Sequence, residues 1–391
     1  MRIAQDWLTH PGTQALCAVL ETAGHQALFV GGCVRNALLG VPVADVDIAT
    51  DATPDAVSRL AETAGLRVVP TGIDHGTVTV IAQGRPHEVT TFRRDVETDG
   101  RRAVVAYAAD IAEDAARRDF TMNALYADAR GRVIDPLNGL PDLRARRLRF
   151  VGDAHQRIRE DYLRILRFFR FHAHYGDPAQ GIDAEGLAAC AELAEGIAQL
   201  SKERIGAEMT KLLAAPDPAP AVAAMAQTGV LARALPGADP RALAPLIHLE
   251  TGLPPRWQRR LAALGGENPG ENLRMSRADA ATIAALREAV GDMLSPAALG
   301  WTLGAETGTD AVLLRAALLE SPLPPHWQAE IARGAAAEFP VTAADLMPAL
   351  QGPALGKALK SLEARWLQTD LRLDRDALLD GFGRDNGSHP R

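Results

Sequence analysis

Two neighbouring carboxylates, Asp45 and Asp47, stand in an Asp-x-Asp pattern thirteen residues beyond the glycine of Gly31-Gly32 nearest them. Alternating carboxylates on an extended segment project to one side and are hard oxygen donors suited to Mg²⁺. Two such ions would clamp the attacking and leaving oxygens of an in-line phosphoryl transfer. The glycines of Val30-Gly31-Gly32-Cys33-Val34-Arg35 would let backbone amides approach a phosphate at the positive end of a helix. Arg35, in the first turn of that helix, would offset triphosphate charge. An Asp-x-Asp alone is equally a solvated turn, and the glycine–arginine partner at this spacing is what gives it chemical meaning.

Further along, Glu88 interrupts the β-like run His87–Thr91 and supplies a third carboxylate near the nucleophile, or else is an exposed edge-strand glutamate. In Arg117-Arg118-Asp119-Phe120, Arg118 could reach phosphate or ribose. Asp119 could accept from a sugar hydroxyl or cap a helix begun by Phe120. Asp161 and Arg164 are three apart, hence side by side on the surface of a helix. A carboxylate accepting from an exocyclic amine, beside a guanidinium donating to a ring nitrogen, would read both cytosine and adenine. Uracil and guanine present the reverse order, and buried polar groups left unpaired cost about 1–3 kcal/mol each. The plainer alternative is an intrahelical ion pair worth about 0.3–0.5 kcal/mol.

The elements that must position these groups divide in two. Up to about residue 142, short β-like runs alternate with turns and helices. Ala27–Val30 reads as a strand, Val34–Leu39 as a helix stopped by Gly40, and Asp45–Ala49 as a strand with both aspartates on one face. Thr53-Pro54 caps and opens a helix through Ala64. Thr77–Ala82 and His87–Thr91 flank a Gln83–Pro86 turn as a hairpin. Beyond Leu143, β-like runs nearly vanish. The segment Gln156–Tyr175 has a strong helical period, Ser201 opens another helix, and APDPAP at 215–220 is a break.

The chain has 391 residues, 47% hydrophobic and 23% charged, which excludes wholesale disorder and allows two to three domains. No apolar run approaches the ~18–20 residues of a membrane span. The N-terminal residues lack a secretory pattern, and Cys17, Cys33 and Cys190 show no metal or disulfide spacing, so a cytoplasmic protein is expected. Lysine occurs only at Lys202, Lys211, Lys357 and Lys360. Nine arginines against three acids between Arg144 and Arg170 make a local charge of +6 in a chain whose net charge is −7. Such a stretch suits phosphate and base edges, or is a solvated face shaped by a general preference for arginine.

Together these segments resemble the class II tRNA nucleotidyltransferase (CCA-adding enzyme) and bacterial poly(A) polymerase family, over about residues 27–212. The shared motifs run in order: the glycine loop with its arginine, Asp-x-Asp, RRDFTxNAL, the turn before DLR, EDxLRxLRxxRF and SKERI. The resemblance implies an α+β, polymerase-β-like nucleotidyltransferase head with a small mixed sheet, followed by an all-α neck, body and tail. It implies a head over 1–142, a neck over 143–215, an RNA-binding body and tail over 216–382, and a disordered terminus over 383–391. Carried over by position, Asp45 and Asp47 match Mg²⁺ ligands, and Gly32, Arg35 and Arg118 match nucleotide-binding residues. Asp161 and Arg164 match the base-reading pair, and Arg167 and Arg170 match further nucleotide-site arginines. Arg93–Arg102 matches a flexible loop, and Ser201–Ile205 matches a structural motif of the neck. Two positions depart from the pattern: Asn36 replaces an aspartate and Asn138-Gly139 a Gly-Gly.

The implied activity is transfer of CMP, CMP and AMP from CTP and ATP to the 3′ end of tRNA with release of pyrophosphate. Asp45 and Glu88 would serve the attacking hydroxyl, and Asp45 and Asp47 the pyrophosphate. No obligate protein partner and no membrane are implied. Poly(A) synthesis, partial CC or A addition, a non-catalytic RNA-binding role and small-molecule nucleotidyl transfer are the alternatives. The last of these has no use for the arginine-rich helix or the long helical remainder.

Overall fold

The computed structural model of the chain describes residues 1–70, 72–73, 76–94 and 106–385. Most of the loop expected over Arg93–Arg102 lies outside the described residues, as do 386–391 of the terminus. Residues 383–385, expected to be disordered, continue the last helix, Arg375–Asp385.

Among the described residues nine strands are formed: β1 Leu28–Val30, β2 Asp47–Thr50, β3 Arg67–Val69, β4 Thr77–Ala82, β5 Arg85–Thr91, β6 Arg93–Arg94, β7 Ala106–Tyr107, β8 Tyr126–Asp128 and β9 Val133–Ile134. Seven of them make one sheet in the order β3-β4-β5-β2-β1-β8-β9, while β6 and β7 pair separately. Only β2 and β5 run parallel in the large sheet, so it is mixed, as expected. The β4–β5 hairpin is tighter than the sequence suggests. Its turn is Gln83-Gly84, both at positive φ (48° and 77°), and Arg85 and Pro86 join the strand.

The central strands β1, β2 and β8 are buried along almost their whole length, while β4 and β5 bury alternate residues. Leu28, Val30, Ala49 and Tyr126 join Phe92, Ala115 and Val151 in one apolar cluster. From the alternate position of β1, Phe29 meets Trp7 edge-on, with ring centroids 5.0 Å apart. Burying a side chain of that size contributes about 1.5–3 kcal/mol. Thr53 caps the helix Pro54–Thr63 by accepting from the Ala56 amide, as its position predicts.

The segment expected as one helix is two, Ala154–Glu160 and Leu163–Tyr175. Asp161 is extended (φ −156°, ψ 105°), and its Oδ1 accepts from the Leu163 amide at 3.0 Å. That local bond competes with the helical ladder, a habit of aspartate invisible to hydrophobic periodicity. The second helix docks through Phe168 and Phe171, which meet Phe120 and Phe150 at centroid distances of 5.3–6.3 Å.

The chain divides into two units, Met1–Leu200 with Thr228–Val230, and Ser201–Gln227 with Leu231–Arg391. The first therefore extends past Leu143, where the sequence texture changes, to the end of the turn Ala194–Gln199. The second is built of helices. It opens with Lys202–Leu213, capped by the Ser201 hydroxyl as expected. It also holds an ion network that the sequence reading missed. Arg259 (1% exposed) bonds Glu250 and Asp310, and Arg260 (2%) bonds Glu250 and three carbonyls at Leu213, Ala215 and Pro216. No helix among the described residues is long and apolar enough to cross a membrane.

Candidate active site

The parallel register of β2 and β5 sets Asp47 directly beside Glu88, at the strand spacing of about 4.8 Å. Because β5 lies between β4 and β2, Glu88 is not on an edge strand. Its neighbours His87 and Val89 point into the core, and Glu88 points out with Asp47. Asp45 precedes β2 rather than lying in it. Continuing the register would set it opposite Pro86, which has no amide to give a ladder. All three carboxylates line one cleft of about 340 Å³, together with Thr79 and Arg85.

Crowding shows in the electrostatics. Burial, then the charges of Glu88 and Asp45, push the Asp47 carboxyl up to about 6, against the opposing pull of Arg118. A group of hard oxygens whose charges repel is suited to a divalent cation. Among the described residues no three side chains close into a ready metal cage. The acids line the cleft as separate arms.

The glycine pair lies at the end of β1. Gly31, at φ 68° and ψ −120°, is the N-cap of the helix Gly32–Leu39, a backbone state that favours glycine. The helix begins two residues earlier than the sequence suggests, so the amides of its first turn open directly from the glycines. Nη1 of Arg118 lies 3.6 Å from where a Cβ on Gly31 would sit. The same guanidinium is held from behind: Nε and Nη2 donate to Asp114 Oδ2 at 3.2 and 2.8 Å, and Nε to the Tyr126 hydroxyl at 3.0 Å. Burial opposes the Arg118 charge, but Asp114 and Tyr126 outweigh it and raise its pKa.

Arg35 stands in the first turn of the helix Gly32–Leu39, as expected, but its side chain is buried. It is only 6% exposed. Its guanidinium donates to Asn36 Oδ1, Asn123 Oδ1 and the Tyr175 hydroxyl, and stacks 3.9 Å from the Tyr175 ring centroid. It is a buried brace beneath the loop, with Nη2 3.8 Å from where a Cβ on Gly32 would lie. Asn36 acquires a definite task here, since its Nδ2 also donates to Pro42 O at 2.8 Å, on the connection leading to Asp45. Asp119 caps no α-helix, because only a 3₁₀ turn, Thr121–Asn123, follows it. Its Oδ1 accepts from the Phe120 amide and Asn123 Nδ2, and its Oδ2 from Arg167 at 2.8 and 2.5 Å. Arg170 lies 4.3 Å from the Phe171 ring centroid, on the aromatic cluster beside Arg35.

Asp161 and Arg164 do not share one helix, although the Arg164 amide donates to the Asp161 carbonyl at 3.0 Å. Arg164 Nη1 donates to Glu160 Oε2 at 2.6 Å and to Arg157 O at 2.7 Å, and Nη2 to Arg117 O at 3.2 Å. Glu160 thus pairs with both Arg164 and Arg157, and the Arg117 contact places Arg164 next to Arg118. The structure gathers Asp45, Asp47 and Glu88 in one cleft and sets Gly31, Gly32 and Arg118 next to it. It packs Arg35, Arg167 and Arg170 behind, and leaves Arg164 bonded to the Arg117 carbonyl with Asp161 at the helix break before it.

This arrangement has counterparts among known proteins. The "Poly A polymerase head domain" family matches residues 27–149, and the "Probable RNA and SrmB-binding site of polymerase A" family matches 181–241. The CCA-adding enzyme of Lacticaseibacillus paracasei is 35% identical over 92% of this chain and 93% of its own. The chain belongs to the CCA-adding enzyme family. A crystal structure of the Bacillus stearothermophilus CCA-adding enzyme in complex with CTP is similar with a TM-score of 0.74 and 30% identity, over 96% of this chain and 97% of that one. The mouse mitochondrial CCA tRNA nucleotidyltransferase 1 is 44% identical over 52% of this chain, and the match spans 47% of that relative. Against such mitochondrial relatives the match covers about half their length. The polymerase-type head followed by a helical remainder is the expected fold.

Within this family frame, sequence reasoning missed Asp114, Asn123, Tyr126 and Tyr175. Asp114 is 1% exposed yet charged, and the only trace of this in the sequence is its four-residue spacing from Arg118. Tyr126 pairs with Val30 across the ladder, and its hydroxyl bonds Arg118 and Asp114.

Proposed function

We propose that the chain adds CMP, CMP and AMP in turn from CTP and ATP to the 3′ end of tRNA, releasing pyrophosphate. The observation that carries this reading is the cleft shared by Asp45, Asp47 and Glu88 beside the Gly31 loop. Asp45 and Asp47, with Glu88 on the nucleophile side, would hold Mg²⁺, which when bound supplies charge to the attacking hydroxyl and to the phosphate oxygens. First-turn amides of the helix Gly32–Leu39 bind triphosphate oxygens at its positive end. Arg118 adds a fixed charge there at no cost of reorganisation. Arg35, Arg167 and Arg170 hold the aromatic floor and the loop above it.

The base is read beside Arg117. Asp161 lies where the backbone leaves the helix, and Arg164 has Glu160 as its resting partner. We propose that cytosine or adenine draws Arg164 from Glu160 and pairs with it and Asp161, whereas uracil and guanine leave that exchange uncompensated. The helical second unit provides tRNA contacts by shape and phosphate rather than by sequence.

The matching poly(A) polymerase families favour one alternative, long A tails. The separating experiment offers tRNA lacking its last three nucleotides, or only its terminal A, with each nucleoside triphosphate singly and together. Addition of C, C and A followed by arrest supports the proposal. Extended A tails would establish the alternative, and arrest after C, C would leave a partial enzyme.

A further inference from the structure

The guanidinium of Arg118 is planar and rigid, so fixing one edge aims the other. One edge is fixed completely. Nε and Nη2 are taken by Asp114 Oδ2 and the Tyr126 hydroxyl, and that hydroxyl itself donates to Asp114 Oδ2 at 2.7 Å. The other carboxylate oxygen, Oδ1, accepts from the Arg93 amide at 3.2 Å, so Asp114 cannot swing. Tyr126 is set by its ladder pairing with Val30, the residue before Gly31. The remaining donor, Nη1, faces the glycine loop.

We propose that Asp114 and Tyr126 are positioning residues for nucleotidyl transfer, clamping Arg118 so that Nη1 meets the triphosphate over Gly31-Gly32. A buried acid, arginine and phenol are costly to desolvate, and an apolar trio of equal volume would be as stable. What the polar trio supplies is direction. The contact is to phosphate, so the clamp acts on every nucleotide alike and leaves base choice to other residues. The inference rests on the triphosphate site proposed above.

The test measures binding of CTP and of ATP, with Mg²⁺ present, by titration calorimetry. The proteins are wild type, Asp114→Asn, Tyr126→Phe, Arg118→Ala and the double variants Asp114→Asn/Arg118→Ala and Tyr126→Phe/Arg118→Ala. Asp114→Asn is expected to weaken both nucleotides equally, by roughly tenfold, the effect of losing a charge-assisted bond. Tyr126→Phe should weaken them about threefold, as befits a neutral hydrogen bond. Each double variant should bind no more weakly than Arg118→Ala alone, and the KM for tRNA should stay at the wild-type value. A purely structural role predicts additive losses. Undiminished binding by Asp114→Asn and Tyr126→Phe, or losses that persist in full in the Arg118→Ala background, overturns the proposal. If Asp114→Asn fails to fold, the Tyr126→Phe cycle decides alone. Wild-type protein that binds CTP but transfers nothing to tRNA sinks the proposed activity and leaves this inference standing. Wild-type protein that binds neither nucleotide overturns both.

Discussion

Asn36 shows how much a single side chain can settle. Its carbonyl oxygen accepts from the buried Arg35 while its amide holds Pro42 O. Asn36→Ala therefore strands a guanidinium donor, and stability should fall by about 1–3 kcal/mol, measurable by urea unfolding. Asp47 carries the opposite expectation. It is a half-buried acid beside Glu88 and near Asp45, so Asp47→Asn removes like-charge crowding. The metal-free variant should melt at or above the wild-type temperature and yet transfer no nucleotide, as when an active site trades stability for function. A variant that melts clearly lower would contradict the repulsion. The acids were legible in the sequence because the Asp-x-Asp spacing is local, although Asp45 falls before β2. Arg35 was not, because its partners Asn123 and Tyr175 lie 88 and 140 residues away along the chain.

Between residues and units, the break at Asp161 decides how the base-reading segment is presented. Periodicity predicted one helix from Gln156 to Tyr175, and the apolar positions do keep that period on both sides of the break. What periodicity could not register is a carboxylate bonding its own backbone two residues on. Tyr162, at the break, packs on Gly196, and a Cβ there would overlap the tyrosine ring. Gly196→Ala should thus displace Tyr162 and move Asp161 relative to Arg164. The expected outcome is a loss of about 1–3 kcal/mol from overpacking, with a rise in UMP misincorporation relative to CMP in single-nucleotide reactions. Unchanged selectivity in a destabilised variant would detach the break from base choice. The β4–β5 hairpin was readable because Gln83-Gly84 supplies the two positive φ values its turn needs. The start of β2 was misjudged because the chemistry of the opposing residue, Pro86, decides it.

At the scale of the whole chain, the head announced itself through spaced motifs, and the helical second unit did not. Its buried network of Arg259, Arg260, Glu250 and Asp310 is scattered across 61 residues of alanine- and leucine-rich sequence. Each charge looks solvated until folding pairs it. Arg260 also satisfies carbonyls at the C-terminal end of the helix Lys202–Leu213, where a cation complements the dipole. Arg260→Met should cost about 3–5 kcal/mol, the range for removing one partner of a buried pair, seen as a lower urea midpoint. A midpoint equal to wild type would show the network to be dispensable. The central claim is that the head's clustered acids carry out a transfer ending after C, C and A. Its most direct test gives wild type and the Asp45→Ala/Asp47→Ala double variant a tRNA lacking its three terminal nucleotides, all four nucleoside triphosphates and Mg²⁺, and reads product sequence and pyrophosphate together. The account predicts three pyrophosphates per tRNA and a CCA end from wild type, and neither from a folded double variant. Incorporation retained by the double variant, or a wild-type product with any other sequence, would contradict it.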